Sequence, residues 1–126
     1  GLRVLLAEDN AVNQKVAVKM LEKSGAQVDV APNGAEAVRL FGMRKYDLVL
    51  MDCQMPEMDG YDATRAMRAC DKGINDPLLP IVALTANALE GDREACIAAG
   101  MTDFLPKPLK QESLYKLLQK YCVSEG

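Results

Sequence analysis

The chain has 126 residues, of which 49% are hydrophobic, and a formal net charge of -3. This length is enough for one domain with its own core, and a slightly acidic chain without an Arg or Lys cluster argues against nucleic-acid binding. No apolar run approaches the ~20 residues that a membrane-spanning helix needs, which argues against a membrane role for this domain.

Two residue types narrow the chemistry further. The chain contains no histidine, so neither a Ser-His-Asp site nor a His-ligated metal is available, and any phosphohistidine must come from a partner. A core of this size needs no disulfides, so we interpret the cysteines as reduced thiols of a cytoplasmic protein, with disulfides in a secreted chain as the alternative. The four cysteines form no CxxC pair; they are Cys53, Cys70, Cys96 and Cys122.

The start of the chain bears on domain organisation. Gly1 is preceded by neither an initiator Met nor a signal peptide. We therefore expect residues 1–126 to be one domain of a longer protein, and a trimmed expression remnant is the alternative.

The first quarter of the chain predicts two strands with a helix between them. Residues 4–7 are a short apolar run, and Asn10 is a suitable N-cap for a helix that Gly25 ends. Residues 27–31 alternate polar and apolar side chains, as in a partly buried edge strand. Three apolar side chains share one face of the helix, namely Val12, Val16 and Met20.

The central part predicts a second helix, a buried strand and a third helix. Asn33 and Glu36 resemble a capping box that opens the second helix. Residues 48–51 are four consecutive apolar residues, typical of a strand buried on both faces, and the acid Asp52 ends them. Asp59 is suited to cap the third helix. The second helix is predicted to face inward with Ala37, Val38 and Phe41, and the third is predicted to run through Ala63, Ala66 and Met67.

The last part predicts two further strands and two helices. Residues 71–80 are a loop, and residues 81–84 are a buried strand that ends in Thr85. An Ala-rich helix runs from about residue 89 to 99 and stops at Gly100. A short fifth strand, residues 104–105, leads to Lys107-Pro108. The last helix has apolar residues at helical spacing, namely Leu114, Leu117, Leu118 and Tyr121.

Strand and helix therefore alternate five times with short connections. This pattern predicts an α/β fold with a parallel sheet, right-handed crossovers and five helices distributed over both faces. We predict a flavodoxin-like, doubly wound sheet with the strand order 2-1-3-4-5.

Polar side chains follow the predicted strands at one edge of this sheet. Glu8 and Asp9 follow the first strand, Asp52 the third, Thr85 the fourth and Lys107 the fifth. Ligands of open α/β sheets bind at this edge, and three crowded acids are costly to ionise without a cation. Oxygen ligands suit a hard divalent ion, and Mg²⁺ fits best. Asp52 is then placed to attack a phosphoryl group and form an acyl phosphate, while Lys107 and Thr85 stabilise its charge.

Each of these residues has a structural explanation when it is considered alone. Glu8 and Asp9 suit the first turn of a helix, because they interact favourably with its dipole. Asp52 suits the start of a turn, Thr85 an N-cap and Lys107 a solvated surface. Because all of them fall at the carboxyl ends of strands in one predicted sheet, we favour the functional interpretation.

Four motifs in register with the alternation resemble the receiver domain of two-component phosphorelays, over essentially the whole chain. They are Leu-Ala-Glu8-Asp9-Asn10, Leu-Met-Asp52-Cys-Gln-Met-Pro-Glu-Met-Asp-Gly60, Ala-Leu-Thr85-Ala86 and Asp103-Phe104-Leu-Pro-Lys107-Pro108. The resemblance implies that Asp52 is the phosphoacceptor. It also implies that Asp9 is a direct Mg²⁺ ligand and that Glu8 acts on the ion mainly through water.

The resemblance implies roles for four further residues. The backbone carbonyl of Gln54 matches another Mg²⁺ ligand, and Lys107 matches the ion-pairing lysine. Thr85 matches the switch hydroxyl, and Phe104 matches the switch aromatic that turns inward when Thr85 moves. Such a domain catalyses its own phosphorylation and dephosphorylation without being a conventional enzyme.

Residues 9–14 look most like receivers attached to hybrid sensor histidine kinases, which implies that the parent chain is such a kinase. The implied partner is a histidine kinase or a histidine phosphotransfer protein on the cytoplasmic side, with this domain a monomer or weak dimer. The partner is expected to dock near the first helix and the loop after the fifth strand. The implied docking residues are Asn13, Gln14, Val16, Pro108 and Leu109.

Two alternative functions remain open from the sequence. An aspartate-nucleophile phosphatase normally has a second acid two residues after the nucleophile, and this chain has Gln54 there. A receiver that binds partners without phosphorylation is the other alternative. The complete set of acids, together with Thr85 and Lys107, argues against it.

Overall fold

The computed structural model describes residues 2–52, 60–69, 79–85, 94, 97–106 and 109–121. The strands in these ranges are β1 (Leu2–Ala7), β2 (Ala26–Ala31), β3 (Leu48–Asp52), β4 (Ile81–Thr85) and β5 (Asp103–Pro106). The helices with defined bounds are α1 (Ala11–Lys23), α2 (Gly34–Phe41), α3 (Gly60–Arg68) and the C-terminal helix (Gln111–Tyr121).

One predicted helix, over residues 89–99, lies only partly within the described residues. Glu94 and residues 97–99 have helical backbone. Gly100 then has a φ of 102°, in the left-handed region that favours glycine, so this helical segment ends where we predicted. The predicted Asp59 cap and most of the predicted loop over residues 71–80 lie outside the described residues.

The sheet has the strand order β2-β1-β3-β4-β5, and every neighbouring pair is parallel. This order confirms the predicted flavodoxin-like topology. All residues of β3 and β4 are buried, because each strand is hydrogen-bonded on both sides and covered on both faces. β2 is an edge strand and only partly buried, as its alternating sequence predicted. The central strand β3 therefore carries its last residue, Asp52, to the middle of the carboxyl edge.

The core consists of two apolar clusters, one on each face of the sheet. Successive side chains of a strand point to opposite faces, so Leu5 belongs to one cluster and Leu6 to the other. The first cluster includes residues of α2 and α3, namely Ala37, Phe41, Ala63 and Met67. The second includes residues of α1 and the C-terminal helix, namely Ala17, Leu21, Leu114, Leu117 and Leu118. Helices thus cover both faces, as the doubly wound fold requires.

Of the three apolar residues predicted to share one face of α1, only Met20 packs against the core, in the second cluster. Val12 is 68% exposed and Val16 is 43% exposed, whereas Ala17 and Leu21 are buried. The apolar residues of α1 form two overlapping series at helical spacing, so periodicity alone does not select between them. Packing buries the series that contains Ala17 and Leu21, both of which belong to the second core cluster. The Val12 and Val16 side chains remain on the surface.

The predicted caps of α1 and α2 differ in completeness. The Asn10 side chain accepts hydrogen bonds from the backbone N–H groups of Val12 at 2.9 Å and Asn13 at 3.1 Å, which confirms this N-cap. The Asn33 side chain likewise accepts from the N–H of Glu36 at 2.8 Å. The Glu36 carboxylate, however, pairs with Arg39 on the next turn. Only the first half of the predicted capping box is therefore present in this hydrogen-bonding pattern.

Arg68, at the end of α3, contacts the segment that precedes β4 and the segment that precedes β5. Its guanidinium donates to the carbonyl oxygens of Leu79 at 2.7 Å and Gly100 at 2.9 Å, and to the hydroxyl of Thr102 at 3.2 Å. The Thr102 hydroxyl also accepts from the N–H of Ile81 at 3.2 Å. These hydrogen bonds connect the end of α3 to the residues that directly precede β4 and β5.

Candidate functional site

Three carboxylates converge at the carboxyl ends of β1 and β3. Ala7 is paired with Met51 in the register of these neighbouring strands, so the next residues, Glu8 and Asp52, lie side by side. Asp9 follows in the turn that leads to α1. Carboxylate oxygens of Glu8, Asp9 and Asp52, one from each, all lie within 4.8 Å of one another. We call these three carboxylates the acidic cluster.

Burial makes the acidic cluster electrostatically unfavourable without a cation. Glu8 and Asp52 are each only 2% exposed, whereas Asp9 is exposed. Negative charges at this spacing repel one another, and the two buried carboxylates have little contact with the water that would otherwise screen them. A bound divalent cation would offset both effects. The exposed Asp9 leaves one side of the cluster open to solvent and to ligands.

The donor set of the acidic cluster fits Mg²⁺. This ion prefers six oxygen ligands at about 2.0–2.1 Å, so opposite ligands are ~4.2 Å apart. The oxygens of the cluster lie within 4.8 Å of one another. Small side-chain movements would therefore bring these oxygens to the spacing of ligands on one such ion, and other oxygen donors or water would have to fill the remaining positions of the shell.

Hydrogen bonds from the start of α1 hold Glu8. The backbone N–H of Asn10 donates to Glu8 Oε2 at 3.1 Å. The side-chain amide of Gln14 donates from Nε2 to the backbone carbonyl oxygen of Glu8 at 2.6 Å. Sequence patterns do not indicate this second contact, because it joins a helix to a preceding loop six residues away and has no local signature.

Thr85 and Phe104 lie on the same face of the sheet. Ala83 is paired with Phe104 in the register of β4 and β5, and Thr85, two residues after Ala83, points to the same face. Thr85 is 6% exposed, and its neighbour Leu84 is paired with Asp52. Phe104 is partly buried and packs against the cluster beneath α2 and α3. The strand that carries Thr85 thus separates Asp52 from Phe104.

The residues expected to dock a partner have different environments. Asn13 and Val16 are exposed on α1, whereas Gln14 is half-buried and bonded to Glu8. Leu109 is partly buried and packs against the second core cluster. Three other predicted site residues lie outside the described residues, namely Gln54, Lys107 and Pro108.

A separate polar group lies beside β2, away from the acidic cluster in the register. The Tyr46 hydroxyl donates to Asp29 Oδ2 at 2.8 Å, and Arg44 pairs with the same oxygen at 3.2 Å. Tyr46 is 4% exposed. Burial raises the pKa of Tyr46 well above its ordinary value, and the hydrogen bond to Asp29 raises that pKa further. This group anchors the segment before β3 to β2.

Across the described ranges, none of the helices has the length and apolar character needed to span a membrane.

Residues 4–119 match the family model of the response regulator receiver domain. The chain is 47% identical over 128 aligned residues to hybrid signal transduction histidine kinase B of Dictyostelium discoideum. The alignment covers 94% of this chain. It spans only 6% of the length of that relative.

Two solved receiver structures are similar to this fold. One is the receiver domain of a sensor histidine kinase from Pseudomonas aeruginosa, solved with a magnesium ion in its active-site cleft. It is 48% identical with a TM-score of 0.88, covering 98% of this chain and 99% of that chain. The other is the receiver domain of Ssk1 from Saccharomyces cerevisiae, solved with the histidine phosphotransfer protein Ypd1. It is 30% identical with a TM-score of 0.88, covering 95% of this chain and 88% of that chain. Because the family model spans most of its length and its fold agrees, this chain belongs to the response regulator receiver domain family.

Proposed function

We propose that Asp52 is the phosphoacceptor of this receiver domain and takes its phosphoryl group from a phosphohistidine of a partner protein. The observation that supports this assignment most directly is the position of Asp52. It is a buried carboxylate at the end of the central strand, beside two further acids whose oxygens lie within 4.8 Å. As the last residue of a buried strand, Asp52 has little conformational freedom, so its carboxylate is held at the open edge of the sheet.

In the proposed reaction, an ionised oxygen of Asp52 attacks phosphorus and forms a P–O bond. The P–N bond of the phosphohistidine breaks, and the imidazole nitrogen leaves with the bonding electron pair. The product is an acyl phosphate on Asp52. No general base is required, because the attacking carboxylate already carries its negative charge.

Glu8, Asp9 and Asp52 are the residues that would hold Mg²⁺, together with the backbone carbonyl of Gln54. A bound Mg²⁺ supplies positive charge that offsets the negative charge on the phosphoryl oxygens. Lys107 is proposed to pair with the same oxygens through its ammonium group. Gln54 and Lys107 lie outside the described residues, so these two roles rest on the receiver motifs.

Thr85 and Phe104 are proposed to carry the signal away from Asp52. Thr85 is buried on the strand next to that of Asp52, and its hydroxyl is able to donate to a phosphoryl oxygen. Phe104 lies on the same face of the next strand and is only partly buried. An inward turn of Phe104 as Thr85 moves would change the surface formed by β5 and the C-terminal helix.

The proposed partner is a histidine phosphotransfer protein or a histidine kinase that docks on α1. Exposed apolar side chains on α1 favour this, since Val12 and Val16 are 68% and 43% exposed beside the polar Asn13. Leu109 and Pro108 would border this surface. We further propose that residues 1–126 are one cytoplasmic domain of a hybrid histidine kinase and act as a monomer or weak dimer.

Intact-mass spectrometry tests the assignment of Asp52. The domain is incubated with acetyl phosphate and Mg²⁺, alongside Asp52→Asn and the control Asp62→Asn, which alters an exposed acid on α3. We expect a single Mg²⁺-dependent phosphoryl group on the wild type and on Asp62→Asn, and none on Asp52→Asn. A phosphoryl group that persists on Asp52→Asn would mean that another carboxylate is the acceptor. Its absence from the wild type, also with a phosphohistidine donor, would refute the phosphoacceptor function.

A further inference from the structure

Gln14 is half-buried, and its side chain points from α1 back towards the end of β1. Its Nε2 donates to the backbone carbonyl oxygen of Glu8 at 2.6 Å. A backbone carbonyl only accepts hydrogen bonds, so the amide nitrogen of Gln14 must be the atom that faces it. The backbone N–H of Gln14 donates to the carbonyl of Asn10 at 2.9 Å, which fixes Gln14 in the first turn of α1.

The carbonyl that Gln14 holds belongs to the peptide unit between Glu8 and Asp9. A peptide unit is planar, so fixing its oxygen also fixes the directions in which the two flanking Cα atoms lie. The other backbone group of Glu8 is fixed as well, because its N–H donates to the carbonyl of Ala31 on β2 at 3.0 Å. Glu8 is therefore bound on one side by the sheet and on the other by Gln14.

Glu8 and Asp9 supply two of the three carboxylates of the acidic cluster. The direction of each side chain depends on the backbone that Gln14 restrains. We infer that Gln14 is a positioning residue for divalent-cation binding: its amide sets the Glu8–Asp9 peptide plane so that both carboxylates converge with Asp52. This inference rests on the proposed Mg²⁺ site and goes beyond it, because Gln14 contributes no ligand atom.

This role differs from the docking role that the receiver resemblance implies for Gln14. A docking residue presents its polar atoms to a partner, whereas the Gln14 amide already donates within the domain. Replacement of Gln14 is therefore expected to weaken cation binding in the isolated domain, where no partner is present. Some residues do not contact the metal but hold its ligands in place by hydrogen bonds, and their removal typically lowers metal affinity by about tenfold or more.

The test compares Gln14→Met with Gln119→Met in the otherwise intact 126-residue chain. Methionine keeps the length of the side chain and removes the donor. Gln119 is an exposed residue of the C-terminal helix, so the same chemical change is made on an element that supplies no residue of the acidic cluster. The dissociation constant for Mg²⁺ is measured by isothermal titration calorimetry, and the free energy of unfolding by urea titration without Mg²⁺.

We expect Gln14→Met to raise the dissociation constant for Mg²⁺ about tenfold, and Gln119→Met to leave it unchanged. In phosphorylation by acetyl phosphate, Gln14→Met should raise the half-saturating Mg²⁺ concentration and reach nearly the wild-type rate at saturation. A merely structural role would lower the free energy of unfolding while the dissociation constant stayed at the wild-type value, and that result overturns the inference.

Two further results separate this inference from the proposed function. If the wild type itself does not bind Mg²⁺, the metal site is wrong and the inference is refuted with it. If the wild type binds Mg²⁺ and Gln14→Met binds equally well, only the inference is refuted. Should Gln14→Met not fold, NMR of the wild type decides. One Gln14 Nε2 proton shifted downfield by its hydrogen bond, and moving further as Mg²⁺ is added, supports the inference, whereas resonances insensitive to Mg²⁺ overturn it.

Discussion

The carboxylates of Glu8 and Asp52 lie side by side at the ends of β1 and β3, and each residue is 2% exposed. Two buried acids on adjacent strands contribute little to folding by themselves, since their like charges repel. Their stabilisation is therefore expected to depend on a bound cation, which links the stability of the domain to Mg²⁺.

Mg²⁺ should stabilise the wild type against unfolding, because its proposed site, the acidic cluster, is assembled only in the folded domain. At a tenfold excess over its dissociation constant, the gain is about 1.4 kcal/mol. Asp9→Asn and Asp52→Asn should lose most of this gain, whereas Glu112→Gln, an exposed acid of the C-terminal helix, should keep it. Thermal unfolding with and without Mg²⁺ measures the difference. An equal gain in all four proteins would place the cation elsewhere.

Gly100→Ala should destabilise the domain more than Gly25→Ala does. Both glycines have positive φ, 102° and 87°, so a Cβ strains either backbone by roughly 1–2 kcal/mol. At Gly25 the added atom meets nothing within 4 Å, but at Gly100 it would lie 3.0 Å from Cγ of Arg68. The Arg68 side chain must then shift, and each hydrogen bond it loses costs about 1 kcal/mol more.

Urea unfolding of these two glycine variants provides the comparison. Gly25→Ala is the control for Gly100→Ala, because both substitutions introduce the same kind of backbone strain. Equal losses of unfolding free energy would show that the Arg68 network adds nothing at the Gly100 turn.

The two apolar series of α1 should respond differently to truncation. Leu21→Ala removes a fully buried side chain from the second core cluster and should cost roughly 2–5 kcal/mol. Val16→Ala, at a position that is 43% exposed, should change the free energy of unfolding by less than about 0.5 kcal/mol. Val16→Ala should instead slow phosphotransfer from a phosphorylated histidine phosphotransfer protein, measured at partner concentrations below saturation. Wild-type transfer by Val16→Ala would argue against α1 as the docking surface.

The stability of the domain should fall at alkaline pH in a way that depends on Tyr46. Burial and the bond to Asp29 raise the pKa of Tyr46 in the folded state. The unfolded chain therefore loses this proton first, near the ordinary tyrosine pKa of about 10. The stabilising contribution of Tyr46 is complete below that pH and is lost as the pH rises through the folded-state pKa.

Tyr46→Phe should lower the free energy of unfolding by about 1 kcal/mol at neutral pH, because the hydrogen bond to Asp29 is lost. The difference from the wild type should shrink above about pH 10. Tyr115→Phe, at an exposed position of the C-terminal helix, is the control and should follow the wild type throughout. Urea titrations at neutral pH and above about pH 10 measure both variants. A constant difference between wild type and Tyr46→Phe would contradict the assignment.

Thr85→Ala should uncouple phosphorylation of Asp52 from the surface of β5. The methyl side chain has no hydroxyl to donate to the phosphoryl group, so the shift towards the activated conformation should be smaller. Thr85→Ser keeps the hydroxyl and should restore the shift. NMR chemical shifts of β5 and the C-terminal helix, compared before and after phosphorylation, provide the measurement. A full shift in Thr85→Ala would contradict the coupling.

Local sequence patterns were sufficient to predict the architecture of this domain and to predict which residues form its acidic cluster. Four apolar residues followed by Asp52 and a loop indicate a buried strand and its end, because a strand covered on both faces is apolar along its length and a run this short is typical of a strand. Parallel strands end at one edge, so the sequence positions of Glu8, Asp9 and Asp52 are enough to predict that they lie together. These features depend on residues that are close in sequence or on a general rule of α/β sheets.

Tertiary packing alone decided which face of α1 is buried, that Gln14 points inward, and which atoms Arg68 and Tyr46 bind. Val12 and Val16 are four residues apart, as are Ala17 and Leu21, so both pairs have helical spacing. Only the packing of α1 against the sheet distinguishes the two pairs. Arg68 reaches Gly100 across 32 residues, and Tyr46 reaches Asp29 across 17. Such contacts have no sequence signature, because a side chain's partner is determined by the position of a distant backbone rather than by its own neighbours.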